Sequence, residues 1–225
     1  MHDDQERDNV TGRREFEDHK RNLIEYHLET VRLLSNEKKP ERERRVCAGF
    51  LRCLGIVFSV GELLSVPQRH GPPDVIFRKA RFEVCDSLSE GRKPHDEARA
   101  RIARSKKLKK IKDLDVSFTF PTPATYSEVY SYVAEELTKK ALKYGMSTCA
   151  NLDALVHIRR HVFLQLHSSR PSNALFSKQG WRSVSFVMPP YSHVIYAAKQ
   201  APDFLKALAG KTMHDWSEPD TFYSL

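Results

Sequence analysis

Asp74 and Glu83 are the chemically promising residues of the run Gly71-Pro-Pro-Asp-Val-Ile-Phe-Arg-Lys-Ala-Arg-Phe-Glu-Val-Cys-Asp86. Val75, Ile76 and Phe77 follow the first acid, and Phe82 and Val84 flank the second, which suits two short strands turning near Lys79 and Ala80. With an even-numbered turn loop, Asp74 faces Cys85 and Ile76 faces Glu83, so that both carboxylates share one face of the sheet. An odd-numbered loop separates them. Like charges at close range raise one pKa or require a cation between them. Magnesium or manganese meets that requirement, with Asp74, Glu83 and the Val84 carbonyl as oxygen ligands. A solvent-facing hairpin without chemistry carries the same pair, so the two acids leave both readings open.

Three elements must position this pair. A helix opening at Pro40 and closing at Gly55 has Val46, Cys47, Phe50, Leu51 and Leu54 as its stripe, and Glu43 continues that stripe toward the hairpin. A long helix over 126–144 buries Tyr130, Val133, Leu137, Ala141 and Tyr144, with Lys140 beside the stripe at about 60° from Leu137. The aliphatic run Leu152–Ile158 fits a buried strand. Strands are also expected at 56–60, 181–188 and 192–198, with a short helix over 202–208.

The chain of 225 residues, 40% hydrophobic and 29% charged, suits one globular domain. The expected boundaries are a disordered tail over 1–13, a single domain over 14–210 and a loosely held tail over 211–225. Phe16, Leu23, Ile24, Leu28, Val31 and Leu34 keep a helical period, giving an N-terminal helical arm that packs on its own domain or forms a homodimer through 16–34. The amino end is too polar for a secretory signal, no apolar run is long enough for a membrane span, and four cysteines without a Cys-x-x-Cys pair fit reduced thiols. The expected setting is cytoplasmic, with no membrane partner. No Gly-rich phosphate loop suggests an organic cofactor, and His157 and His161 lack the Glu of a zinc protease motif.

Residues 92–112 carry an excess of positive charge equal to the formal net charge of the whole chain, +8. That excess points to a polyanionic partner, a nucleic acid and in particular DNA. Arg99, Arg101, Lys106, Lys107, Lys109 and Lys110 are the candidate phosphate contacts. The segment reads as a basic insertion with few apolar anchors, which orders on binding or stays a solvated loop.

The order helix with Glu43, strand, strand with Pro73-Asp74, strand with Glu83, long helix, strand resembles the core of the PD-(D/E)xK nuclease superfamily. The runs Pro40-Glu-Arg-Glu-Arg-Arg-Val-Cys, Pro-Pro-Asp-Val-Ile-Phe, Arg-Phe-Glu-Val and Gln179-Gly-Trp-Arg-Ser look like a bacterial family labelled "putative endonuclease". The resemblance implies an α/β fold, a restriction-endonuclease-like αβββαβ core with a central mixed sheet flanked by helices, here extended by C-terminal strands. It implies magnesium on Asp74 and Glu83, help from Glu43, and a lysine two residues beyond the second acid. That position holds Cys85, so Lys140 is the replacement in reach and Lys143 the second, and a lysine placed at 85 would restore the motif. The implied activity is magnesium-dependent DNA cleavage. The alternative is a nuclease-like module that binds nucleic acid or protein without chemistry.

Overall fold

A computed structural model describes residues 2–110, 113 and 120–215. In chain order the elements are α1 (His2–Leu33), α2 (Lys39–Cys53), β1 (Leu63–Ser65), β2 (Val75–Phe77), β3 (Ala80–Leu88), α3 (Pro94–Lys107), β4 (Thr122–Ala124), α4 (Tyr126–Tyr144), α5 (Met146–Cys149), β5 (Asp153–Arg159), β6 (Val162–Leu164), α6 (Ala174–Lys178), β7 (Ser183–Met188), β8 (Tyr191–Ala197), α7 (Asp203–Leu208) and β9 (Thr212–His214). They form two compact units. One comprises the described residues of Met1–Lys38 and Gly91–Phe120, the other those of Lys39–Glu90 and Pro121–Ser224.

In the smaller unit α1 packs on α3, and the Lys20 ammonium donates to the Leu108 carbonyl at 2.7 Å. The tail expected over 1–13 is taken up by α1, which begins at His2. Residues 94–107 of the basic segment are helical, with Pro94 in the first turn, Asp96 and Glu97 at the positive end and Arg104, Lys106 and Lys107 at the negative end. Residues 111 and 112 lie outside the described residues.

The larger unit is built on a mixed seven-stranded sheet of order β1-β2-β3-β5-β7-β8-β9, parallel at β3-β5 and β5-β7 and antiparallel elsewhere. Its central strands are buried on both faces. Ala154, Val156, Ile158, Val184 and Phe186 pack with Val129, Val133 and Leu137 of α4, while Leu155 and Val187 pack with Val46, Phe50 and Leu51 of α2 and Leu205 of α7. Double-sided burial explains the continuous apolar runs of β5 and β7. The long helix occupies 126–144, as its periodicity requires, with a reciprocal Thr125–Glu128 cap at its head and Gly145, at φ 75°, past its end.

Two local expectations fail. No strand forms over 56–60, where Val57 and Val60 are exposed; β1 begins at Leu63, which is buried. The hairpin turns at Arg78 and Lys79, one place earlier than expected, with Phe77 opposite Ala80 and Val75 opposite Phe82. Arg78 adopts φ 52°, a conformation unfavourable for most L-residues. Its guanidinium offsets that cost by lying over the Phe77 ring at 4.7 Å and donating to Glu62 and the Val57 carbonyl, each at 2.9 Å. Of the tail expected from 211, Thr212–His214 forms the last strand of the sheet, and residues 216–225 lie outside the described residues. No helix among the described residues is long and apolar enough to cross a membrane.

Asp153, fully buried at the head of β5, holds the start of β3. It accepts from the Arg81 N–H at 2.8 Å, from Arg182 through a two-point contact and from the Ser183 hydroxyl at 2.7 Å, while Arg182 also donates to the Lys79 carbonyl at 3.1 Å. Removing one partner of a buried ion pair leaves an uncompensated charge. Asp153→Ala should therefore lower the unfolding free energy by about 3–5 kcal/mol in urea denaturation, a larger loss than alanine at exposed Asp203 should give.

Candidate active site

The hairpin places Asp74 one residue before β2 and Glu83 in the middle of β3. The paired register ends with Val75 opposite Phe82, so Asp74 sits just past the end of the ladder, near Phe82 and Val84, and not opposite Cys85. The Asp74 N–H donates to the Phe82 carbonyl, and its Oδ2 accepts from the Val84 N–H, both at 2.9 Å. Asp74 is thereby fastened to the backbone next to Glu83. Its other oxygen, Oδ1, lies 3.6 Å from the ammonium of Lys39.

Lys39 opens α2 and is also 2.9 Å from Glu43 Oε1, a helical i,i+4 pair. That contact is an ion pair without hydrogen-bond alignment, since Glu43 Oε1 is buried and has no hydrogen-bond partner among the described residues. Burial and the Asp74 charge push the Glu43 carboxyl up to about 7; Lys39 opposes the rise and Glu83 adds to it. Lys39 responds in kind. Burial acts to lower its pKa, but the charges of Glu43 and Asp74 raise it above the usual lysine value.

Glu83 is 1% exposed and points toward α4. Its Oε1 contacts the Lys140 ammonium in a short ion pair and accepts from the Tyr144 hydroxyl at 2.8 Å. Its Oε2 is buried and has no partner among the described residues. Lys140 and Tyr144 are again one helical turn apart. Burial works against the Lys140 charge, but Cys85 and Glu83 hold its pKa well above the usual lysine value. Burial and the Glu83 carboxylate push the Tyr144 phenol up to about 12. Cys85 is buried, and burial lifts its thiol to about 12, with Lys140 opposing and Glu83 and Asp74 reinforcing the shift. The position two residues beyond the second acid is therefore an un-ionised thiol beside an ammonium delivered from α4.

Three carboxylates and two ammonium groups thus converge from α2, the hairpin and α4. Expected residues Glu43, Asp74, Glu83 and Lys140 come together, and the Val84 backbone lies against Asp74. Lys143 stacks on the Tyr144 ring at 5.4 Å and makes no ion pair among the described residues. Lys39 and Tyr144 are the additions, legible in retrospect from the i,i+4 spacings Lys39-x-x-x-Glu43 and Lys140-x-x-x-Tyr144. Among the described residues no group of three His, Cys, Asp or Glu side chains is arranged to hold a metal. A metal here would rest on two carboxylates, the Val84 carbonyl and water, a donor set suited to a hard cation. The unpartnered Glu83 Oε2 offers one such donor.

The candidate phosphate contacts lie in the smaller unit. Arg99, Arg101, Lys106 and Lys107 are exposed on α3; Lys109 and Lys110 follow it, their backbone N–H groups donating to Asp113 at 3.0 and 3.2 Å.

A family described as "Putative endonuclease, protein of unknown function" matches residues 16–218. No curated protein matches the chain. A solved structure from Pseudomonas aeruginosa strain PAO1, described as a protein of unknown function of the monooxygenase superfamily, is similar at 26% identity and a TM-score of 0.64, over 91% of this chain and 97% of that one. The likeness extends over both units.

The raised Glu43 pKa has a consequence for stability. A carboxyl that binds its proton more tightly when folded contributes stability that is full below pH 4.5 and is lost as pH rises through about 7. Glu43→Gln should remove this dependence. Thermal melts of the two proteins should diverge between pH 4.5 and 7 in favour of the variant and then run parallel; a constant offset across that range would contradict the assignment.

Proposed function

This chain belongs to the family described as "Putative endonuclease, protein of unknown function", and we propose that it hydrolyses phosphodiester bonds in DNA with magnesium or manganese held by Asp74, Glu83 and the Val84 carbonyl. The observation that carries the reading is a buried Glu83 with one oxygen gripped by Lys140 and Tyr144 and the other unpartnered beside a second anchored acid. The order α2-β1-β2-β3-α4-β5, with β3 antiparallel to β2 and parallel to β5, supports a restriction-endonuclease-like αβββαβ core of the PD-(D/E)xK kind.

A bound divalent ion supplies an acidified water and neutralises charge on the phosphate. The chain supplies the rest. Lys140, whose pKa is held high, presents a permanent positive charge where the pentavalent phosphorane accumulates negative charge. Glu43, titrating near neutrality, can take the proton released by the attacking water. Cys85 remains a thiol and takes no part as an anion. Arg99, Arg101, Lys106, Lys107, Lys109 and Lys110 attract the nucleic acid through its phosphates.

The test is cleavage of plasmid and oligonucleotide DNA by the purified protein with either metal, abolished by EDTA. Asp74→Asn and Glu83→Gln should each remove activity while circular dichroism shows the fold retained, and Lys140→Met should slow cleavage by about a hundredfold or more. Cys85→Lys alone would set a second ammonium against Lys140 and should destabilise the protein, whereas Cys85→Lys combined with Lys140→Met should recover activity relative to Lys140→Met. Binding of DNA without cleavage under either metal would replace this reading with that of a binding module.

Phosphate binding by the basic segment has its own readout. If about five of its cations contact duplex DNA, log K should fall with log salt at a slope of about −4 to −5. Neutralising Lys106, Lys107, Lys109 and Lys110 together should flatten that slope, and an unchanged slope would move the polyanion site elsewhere.

A further inference from the structure

A cavity of about 400 Å³ in the larger unit is lined by Pro72, Arg81, Ser147, Thr148, Asn151 and Leu152. Pro72 and Arg81 come from the hairpin segment that carries Asp74 and Glu83, and Ser147, Thr148, Asn151 and Leu152 from α5 and the turn after it, directly following α4. Arg81 precedes Glu83 by two positions on one face of β3, about 7 Å along the strand. Pro72 lies two residues before Asp74. Ser147 lies three residues beyond Tyr144, whose hydroxyl donates to Glu83. A strand engaged at the carboxylates would have its neighbouring group within reach of this cavity.

The lining chemistry selects the group. Arg81 is the single charged residue among the six, and no carboxylate opposes it there. Its side chain is exposed, and its guanidinium makes no hydrogen bond or ion pair among the described residues, although its backbone N–H is tied to Asp153. Arg78, Arg159, Arg160 and Arg182 of the same unit are all engaged with carboxylates. The five donors of a guanidinium match the paired oxygens of a phosphate. The hydroxyls of Ser147 and Thr148 can add donors, as can the Asn151 amide, which spends one bond on the Ser147 carbonyl at 3.0 Å. Pro72 and Leu152 contribute apolar wall suited to a sugar or base face. The volume falls within the range of small-ligand sites.

We propose that this cavity binds the phosphate of the substrate strand adjoining the one that is cleaved, with Arg81 as the principal contact and a specificity determinant for chains over isolated phosphate. Its placement next to the scissile bond rests on the nuclease reading; its capacity to bind a strand phosphate does not.

The test measures binding of a fluorescently labelled oligothymidylate in EDTA, where no cleavage occurs, to full-length protein in which Lys106, Lys107, Lys109 and Lys110 are changed to Gln to silence the basic segment. Adding Arg81→Gln should weaken binding about tenfold and reduce the salt slope by about 0.7, the contribution of one phosphate contact on a single strand. Arg81→Lys should restore the slope. In the wild-type protein with metal, Arg81→Gln should raise KM for an oligonucleotide and leave kcat within about twofold. Unchanged affinity and slope in Arg81→Gln would overturn the proposal. So would an Arg81-dependent interaction seen with inorganic phosphate and not with the oligonucleotide, which would make the cavity a free-anion site. If the wild-type protein cleaves nothing while Arg81→Gln still loses affinity and slope, the nuclease reading falls and the strand-binding cavity stands.

Discussion

A carboxylate almost wholly removed from water is the constraint on which the larger unit turns. Glu83 occupies the middle of β3, where a buried negative charge is tolerated only if it is paired or coordinated. Lys140 and Tyr144 provide that compensation from α4, so the packing of this helix and the charge balance of the site are one requirement. The same need is met on the α2 side, where Lys39 bridges Glu43 and Asp74. Two ammonium groups against three carboxylates leave a deficit of one positive charge, and the Asp74 and Glu83 charges add to burial in pushing the Glu43 carboxyl up to about 7. A divalent cation would relieve that deficit, and the unpartnered oxygen of Glu83 is consistent with that role.

The geometry of the cluster depends on devices remote from it. Asp153, buried at the head of β5, clasps the Arg81 N–H, and Arg182 reaches from the same carboxylate to the Lys79 carbonyl, fixing the turn and the register of β3. Arg78 holds the other turn position in a left-handed conformation by stacking on Phe77 and bonding Glu62. A shift of one residue here would carry Glu83 to the opposite face of the sheet, away from Lys140. Buried polar networks of this kind set register more than they add net stability.

Charge and chemistry are divided within the chain. The basic residues that account for its net positive charge lie within 92–112, and those of them that the structure describes belong to the smaller unit, whereas the carboxylates and their lysines lie in the larger one. The basic side chains of α3 are exposed and suit long-range attraction to phosphates, a function that tolerates salt screening and positional freedom. The buried ion pairs of the larger unit tolerate neither, because their strength depends on fixed distances in a medium that water scarcely enters.

The sequence by itself determined the identity of the helices that flank the sheet, since apolar spacing over 126–144 and the Pro40 and Gly55 punctuation are local physical signals. It also determined the presence of the Asp74–Glu83 hairpin, because β-branched and aromatic neighbours favour strands and any even turn puts both acids on one face. The turn came one place earlier and the ladder stopped at Val75, so Asp74 is held beside β3 by its own bonds to the Phe82 carbonyl and the Val84 N–H and not by regular strand pairing. Tertiary structure decided the rest. The strand anticipated at 56–60 gave way to β1 at Leu63, where a buried place beside β2 outweighed local propensity. Lys39 and Tyr144 entered the site because side chains one helical turn from Glu43 and Lys140 happened to face the same carboxylates. Glu43 acquired its raised pKa for the same reason: a one-dimensional pattern records which residues share a helical face, but charge–charge distances and exclusion of water exist only once separate elements have packed together.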